Sequence, residues 1–237
     1  MDQFQPMMAN KGKELSIELS ERKFVRIPVK THLITKDDNI VDVVCKYVKD
    51  KIENDDIVFV TEKIIAITQG RAIPLKDIKP SSLAVFLSKF VTKTPAGIGL
   101  GMPETMEMAL RECGVLRILF ASIIGAITKV LFRRRGDFYR IAGYKARSID
   151  GPTEGTIPPY DTHVVLGPKN PDQVAKTLSE SLGNVKVAVV DINDIGGNIL
   201  GVSHDSIDTE ELIKILKDNP LGQGGEQTPM GIIRELK

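Results

Sequence analysis

The chain has 237 residues, enough for one large core or two small ones, and 42% apolar with 27% charged residues is the balance of a folded globular protein. A net charge of +1 excludes whole-chain attraction to nucleic acid or to a membrane, leaving only local patches. Cys45 and Cys113 stand far apart without a partner motif, so neither a disulfide framework nor a zinc site is indicated, and a cytoplasmic location is expected.

In chain order, residues 1–22 read as a polar N-terminal arm without a signal-length apolar core. "FVRIPVKTHLI" reads as a strand entering a loop. The spacing of Ile40, Val43, Val44, Tyr47 and Val48 then predicts an amphipathic helix near Asn39 to Ile52. "DDIVFVTEKIIAITQGR" reads as a strand, a polar step at Thr61 to Lys63, and a second β-rich stretch broken at Gly70. Ser81 and Ser82 after Pro80 offer a cap for a helix through "LAVFLSKFV". "GIGLGMPETM" could free backbone N–H groups for an anion before a helix at Pro103, or serve only as a packing turn.

"GVLRILFASIIGAITKVLF", Gly114 to Phe132, is strongly apolar, but Arg117 and Lys129 leave only 11 uncharged residues between them, short of the roughly 20 that a span requires. The expectation is a helix buried in the domain or against a partner, with no membrane span; the arginines at 133–135 leave a surface anchor as the alternative. "VKVAVVDIND" reads as a buried strand and "DTEELIKILKDNP" as a short helix stopped by Pro220. "GGNILGVS" has Walker-like spacing, but Val202 replaces the lysine that would match phosphate charge, so that reading fails. The mixture predicts an α+β fold with mixed, largely antiparallel sheets and packed helices, in one domain over 23–237 that has room for two intertwined subdomains.

The candidate chemistry is carried by oxygen ligands. Asp191 and Asp194 lie where a strand runs out, and Asp150 precedes another turn; such aspartates either cap turns or hold magnesium or manganese shared with phosphate. The histidines lack metal-ligand spacing, and no nucleophile motif supports covalent hydrolysis. The late stretch "LGQGGEQTPMGIIR" is either a surface turn or a polar cradle for a ligand.

Taken together, "IPVKTHLI", "DIVFVTEKIIAITQGR", "SID" before "HVVLGPKNPD", "VAVVDINDIGG" and "GQGGEQTP" resemble, in order and spacing, the coenzyme F-420 gamma-glutamyl ligase family, the CofE type, from about Phe24 to Arg234. The resemblance implies a GTP- and divalent-metal-dependent homodimeric ligase. Such an enzyme activates a carboxylate on a small-molecule acceptor as an acyl phosphate and joins it to L-glutamate. It also implies roles: Asp150 and Asp191 as metal ligands, with Asp194 beside them and Gln223 reaching the metal. Thr31 to Thr35, through His32, Leu33 and Ile34, match the first nucleotide loop, and Lys63 matches a nucleotide-contacting lysine next to Glu62. Thr153 follows the first metal aspartate. The late segment Gly222, Gln223, Gly224, Gly225, Glu226, Gln227, Thr228 and Pro229 matches a nucleotide-binding loop. No catalytic acid or base is implied.

Three positions depart from the family pattern. Glu62 stands for a serine, Ile67 for a second lysine and Thr153 for an asparagine, and the first two remove attraction for a triphosphate. These changes point to a divergent branch with its own acceptor. A non-catalytic binder and a metal-dependent phosphotransferase or hydrolase remain as alternatives.

Overall fold

A computed structural model describes residues 8–91, 99–134, 136–152, 156–194, 196–222 and 224–236. The chain divides into two compact units, one made of residues 1–70 with 168–237 and the other of residues 71–167.

The first unit is organised by a six-stranded sheet. Its strands are β1 (Ser16–Leu19), β2 (Arg22–Val29), β3 (Ile57–Thr61), β6 (Lys186–Asn193), β7 (Gly196–Val202) and β8 (Met230–Leu236), in the spatial order β1-β2-β8-β3-β6-β7. β3 and β6 run parallel, while the other neighbours are antiparallel. The sheet is therefore mixed and largely antiparallel, and the fold is α+β as the sequence predicts.

Both faces of its centre are dry. Val58, Phe59, Val60 and Val187 through Val190 are all 0% exposed, which is the signature of strands covered on two sides. By strand alternation Ala188 and Val190 join Phe24, Phe59 and Ile233 against helix α9 (Thr209–Ile215). The other face meets α2 (Glu62–Thr68) and α8 (Pro171–Ser181), and α1 (Ile40–Val48) packs on α8.

Local chemistry explains where these elements begin. Asn39 caps α1 by accepting from the Val41 N–H at 2.8 Å, and Asp208 caps α9 by accepting from Glu210 and Glu211, both at 3.0 Å. At Gly231 a Cβ would stand 2.5 Å from the Phe59 ring, so the central strand pair closes only over a bare backbone. The "GGNILGV" segment forms β7, and Gly201 there lies under the Pro171–Asp172 backbone, where a Cβ would meet Asp172 N at 2.4 Å. Gly201 and Gly197, where a Cβ would meet Ile192 at 2.8 Å, thus serve packing.

One expectation is corrected here. The second β-rich stretch after Lys63 is the helix α2. Ile64, Ile65, Ala66 and Ile67 are all buried, so the run is apolar on every side and carries no period to separate helix from strand. Residues 8–22, read as a polar arm, contribute β1, which pairs with β2 through a two-residue turn at Ser20 and Glu21.

The second unit is helical, with a two-stranded antiparallel ribbon of β4 (Ala72–Pro74) and β5 (His163–Val165). Its helices are α3 (Ser82–Ser88), α4 (Pro103–Cys113), α5 (Val115–Leu131), α6 (Asp137–Ala142) and α7 (Tyr144–Arg147). Ser81 caps α3 as expected, accepting from the Ala84 N–H at 3.2 Å. α4 starts at Pro103, and Leu100 before it is fully buried while Tyr139 Oη stands 2.9 Å from where a Gly99 Cβ would lie. The described part of "GIGLGMPETM" is therefore a packing turn; Gly97 and Ile98 lie outside the described residues.

Of the two expectations for α5, burial within the domain is corrected. Of its 17 residues only Ile118 and Ala121 are buried, and Leu116 is 83% exposed. The physical reason is that α5 is apolar all round but packs on one layer only. Ile118 and Ala121 join the core of this unit, Gly125 admits the Phe138 backbone of α6, and the opposite arc of Leu116, Phe120, Ile123, Ile127 and Val130 faces outward. Among the described residues no single helix is long and apolar enough to cross a membrane.

Candidate functional site

The register of the sheet decides which loops meet. Val29 is level with Met230, Met230 with Val60, and Thr61 with Val190. The C-terminal ends of β2, β3 and β6 and the N-terminal end of β8 therefore form one end of the sheet. Onto that end open the loop at residues 31–35, the start of α2 with Glu62 and Lys63, the side of Asp191, and the loop at residues 222–229. Four stretches separated by up to about two hundred residues in sequence are thus gathered by strand pairing.

Backbone bonds tie these loops to one another. The Thr31 N–H donates to Gln227 O at 2.9 Å, and the Thr61 N–H donates to Pro229 O at 3.0 Å. Ile34 is buried at 4% exposure, so this residue anchors the first loop in the core. Asp38 completes the loop by accepting from Thr35 N–H at 2.7 Å and from Thr35 Oγ1 at 3.0 Å. His32 is held by Tyr47 Oη at 2.9 Å on Nδ1 and by Asp38 at 3.0 Å on Nε2. The Thr35 backbone N–H, followed by His32, holds the Asp38 carboxyl below the usual carboxylate range.

The late loop has fixed ends and an exposed middle. Thr228 Oγ1 donates to Leu221 O at 2.8 Å, and Asn219 Nδ2 donates to Gly222 O at 3.0 Å. Gly224 and Gly225 are exposed, and the Gly224 N–H donates to the Glu226 carboxylate at 2.7 Å. The loop already binds an anionic group with its backbone, supplied by its own side chain.

Sequence reasoning missed the residues that clamp this loop. Asn10 Nδ2 lies 2.9 Å from Leu221 O and 2.8 Å from Thr228 Oγ1, and Lys13 Nζ bonds Asp194 at 2.6 Å and Asp218 O at 2.8 Å. Nothing in the pattern of "ANKGKELS" announces a partner some two hundred residues away. The helical spacing makes Tyr47 an apolar-face position of α1, and its hydroxyl bond to His32 has no sequence signal.

The aspartates divide between the two units. Asp191 is half-buried in β6, level with Asn198 of β7, on the strand face shared with Val187 and Val189. Asp150 is exposed in the second unit, where its backbone exchanges hydrogen bonds of 2.8 and 2.9 Å with Val165 at the end of β5. Asp194 is exposed and engaged by Lys13. Gln223 and Thr153 lie outside the described residues.

Among the described residues no three His, Cys, Asp or Glu side chains come together as a ready-made metal cage. Magnesium rarely uses one; it takes one or two carboxylates and completes its shell with water and substrate phosphate. Asp191 and Asp150 are donors of that kind. Glu62, Asp191 and Glu226 stand at the same sheet end as Lys63, and a divalent cation would offset their repulsion of a polyphosphate. A separate cleft of about 630 Å³ lies at the opposite end of the same sheet, lined by Arg22, Glu53, Asp56, Lys186, Glu211 and Arg234 among others. Its arginines are satisfied within the protein: Arg234 pairs with Asp56 at 2.8 Å and Arg22 with Glu235 at 2.6 Å.

Two units, one built on a mixed sheet whose polar loops converge at a single end, define an α+β protein with its candidate ligand site outside the strands. The family model described as F420-0:Gamma-glutamyl ligase matches residues 28–219, well over half of the chain. The chain belongs to that ligase family. No curated protein matches it. The matched span stops at Asn219, so the late loop joins the site on the evidence of strand register and hydrogen bonds rather than of the match.

Proposed function

We propose that the chain is a nucleotide- and divalent-cation-dependent ligase that joins a substrate carboxylate, activated as an acyl phosphate, to the amine of L-glutamate. Family membership supports the ligase and the glutamate; GTP is the nucleotide that the family resemblance implies. The observation that carries the rest is the convergence, at one sheet end, of the loop at 31–35, Lys63, Asp191 and the late glycine loop.

In this reading the exposed backbone of Gly224 and Gly225 receives phosphate oxygens in place of the Glu226 carboxylate, and Lys63 adds a point charge. Asp191 would hold magnesium or manganese at the sheet end, a role the family resemblance also gives to Asp150, and the ion when bound would supply charge neutralisation for phosphoryl transfer. Asp194 would first have to release Lys13. The chain contributes positioning and charge, which is what phosphoryl transfer chiefly requires of a protein. In this reading the chain acts as a homodimer, as the resemblance implies, and in the cytoplasm, as its two free cysteines suggest.

The test is metal-dependent GTP hydrolysis by the purified chain, with and without L-glutamate and candidate carboxylate acceptors. Stimulation by glutamate together with an acceptor, abolished by a chelator, is the expected result. Hydrolysis indifferent to glutamate would replace this reading with a hydrolase, and nucleotide binding without turnover would replace it with a binder.

A further inference from the structure

The outer arc of α5 is an apolar surface left outside the second unit's core. Leu116, Phe120, Ile123, Ile127 and Val130 recur at four- and three-residue steps, and their exposures run from 43 to 83%. They form one continuous stripe about 21 Å long on a helix rising 1.5 Å per residue. From Gly114 to Gly136 the sequence contains no acidic residue; Arg117, whose Nε donates to Ile141 O at 2.9 Å, flanks the stripe, and Arg133 and Arg134, the latter 3.4 Å from Asp137, close its C-terminal end, all exposed.

Charge decides what fits this face. Pairing with a second copy in parallel would set the terminal arginines against their own counterparts. Antiparallel pairing would set them against Arg117 and the positive N-terminal end of the neighbouring α5. A surface that is apolar beneath and negative at the level of the arginine heads satisfies both features at once. Crossing is disfavoured: α4 and α5 are long and apolar enough only as a pair bent by 117°, and α4 buries Met106, Ala109 and Leu110 in the core of the second unit.

We propose that the outer face of α5 docks in the plane of an anionic lipid bilayer, with Leu116, Phe120, Ile123, Ile127 and Val130 below the headgroups and Arg117, Arg133 and Arg134 among them. Apolar depth and cationic contact act together, as in other interfacial helices. This surface is independent of the ligase reading, because none of its residues belongs to the candidate site.

The test is co-sedimentation of the full chain with vesicles of phosphatidylglycerol and phosphatidylcholine, against pure phosphatidylcholine. Anionic vesicles should bind the chain at least tenfold more tightly, and raised salt should weaken the binding. Phe120→Glu with Ile123→Glu, and separately Arg133→Gln with Arg134→Gln, should each lose at least tenfold in affinity while keeping the melting temperature and any activity measured without lipid. Absence of vesicle binding by the unaltered chain would overturn the proposal. So would a dimer, seen by sedimentation equilibrium, that Phe120→Glu with Ile123→Glu dissociates while vesicle binding persists. If the paired glutamates unfold the protein, the exposed arginine variant decides alone: unchanged affinity overturns the proposal.

Discussion

The two units treat the same kind of side chain in opposite ways. In the first, β-branched and aromatic residues vanish between helices on both faces of a sheet, as Val58, Phe59, Val60 and Val189 show at 0% exposure. In the second, a helix just as apolar leaves Leu116 at 83% and Val130 at 76% exposed. A sheet offers two faces and the chain supplies helices for both, so its apolar surface is used up and only its ends remain for ligands. A helix packed on one layer keeps a whole arc. Apolar composition therefore marks scaffold in the first unit and an open surface in the second, and a single hydropathy profile cannot tell them apart.

The sharpest way to test the assignment of function to the sheet end is Asp191→Asn. Glutamate-dependent nucleotide turnover should fall by roughly two orders of magnitude or more, with Asp150→Asn doing the same, while the melting temperature without metal stays level or rises slightly. Steady-state kinetics beside thermal melts checks this. Asp172 is the control. Its Oδ1 accepts from the Val202 N–H at 3.0 Å, and Asp172→Asn keeps a carbonyl there, so turnover should be unchanged.

Gly231→Ala probes the scaffold side of the comparison. The new methyl would meet the fully buried Phe59 ring, and overpacking at such a site costs about 1–3 kcal/mol. Ile123→Glu on the open arc should change stability by no more than about 0.5 kcal/mol. Chemical denaturation of both variants measures the contrast, and equal effects would erase it.

Acid stability provides a smaller effect with a defined sign. Asp38 is held low by Thr35 and His32, so its folded value lies below its unfolded one; its contribution is complete above about pH 4 and is lost as pH falls further. Burial pushes the Glu107 carboxyl up, but the Ser81 N–H and hydroxyl and Arg111 outweigh it and leave the value lowered, giving the second unit an acid limb of the same sign. Asp38→Asn should flatten the fall in melting temperature below pH 4 in part, and Glu107→Gln should flatten another part. The least effect is expected at the turn, where Ser20 and Glu21 have φ of 51° and 66°. Ser20→Asn with Glu21→Gly suits that left-handed pair and should add about 1 kcal/mol to stability by denaturant titration.

Most of the fold is legible in the sequence where period and caps agree. The spacing from Ile40 to Val48 and the Asn39 cap mark α1, and Asp208 marks α9. Legibility fails where burial is complete on all sides, as at Ile64 to Ile67, or absent on one, as along α5, because an apolar run reports composition and not its neighbours. In the site, single loops can be picked out, but their convergence depends on a β2–β8–β3–β6 order that no local signal encodes. The Asn10 and Lys13 contacts are invisible for the same reason: small polar residues are common everywhere, and only long-range geometry gives these two a role.

The place of β8 between β2 and β3 has a consequence for synthesis. Residues 71–167 are complete, with every strand and helix of their unit, before any of β6, β7 or β8 has been made. Val29 must then wait for Met230, some two hundred residues later, before the sheet can close between its second and third strands. Pairings of such separation are slow to form, and until they form the edges of β2 and β3 stand open to other chains. During translation the second unit should therefore resist protease early, while the loops that gather at the sheet end are the last part of the protein to come into being.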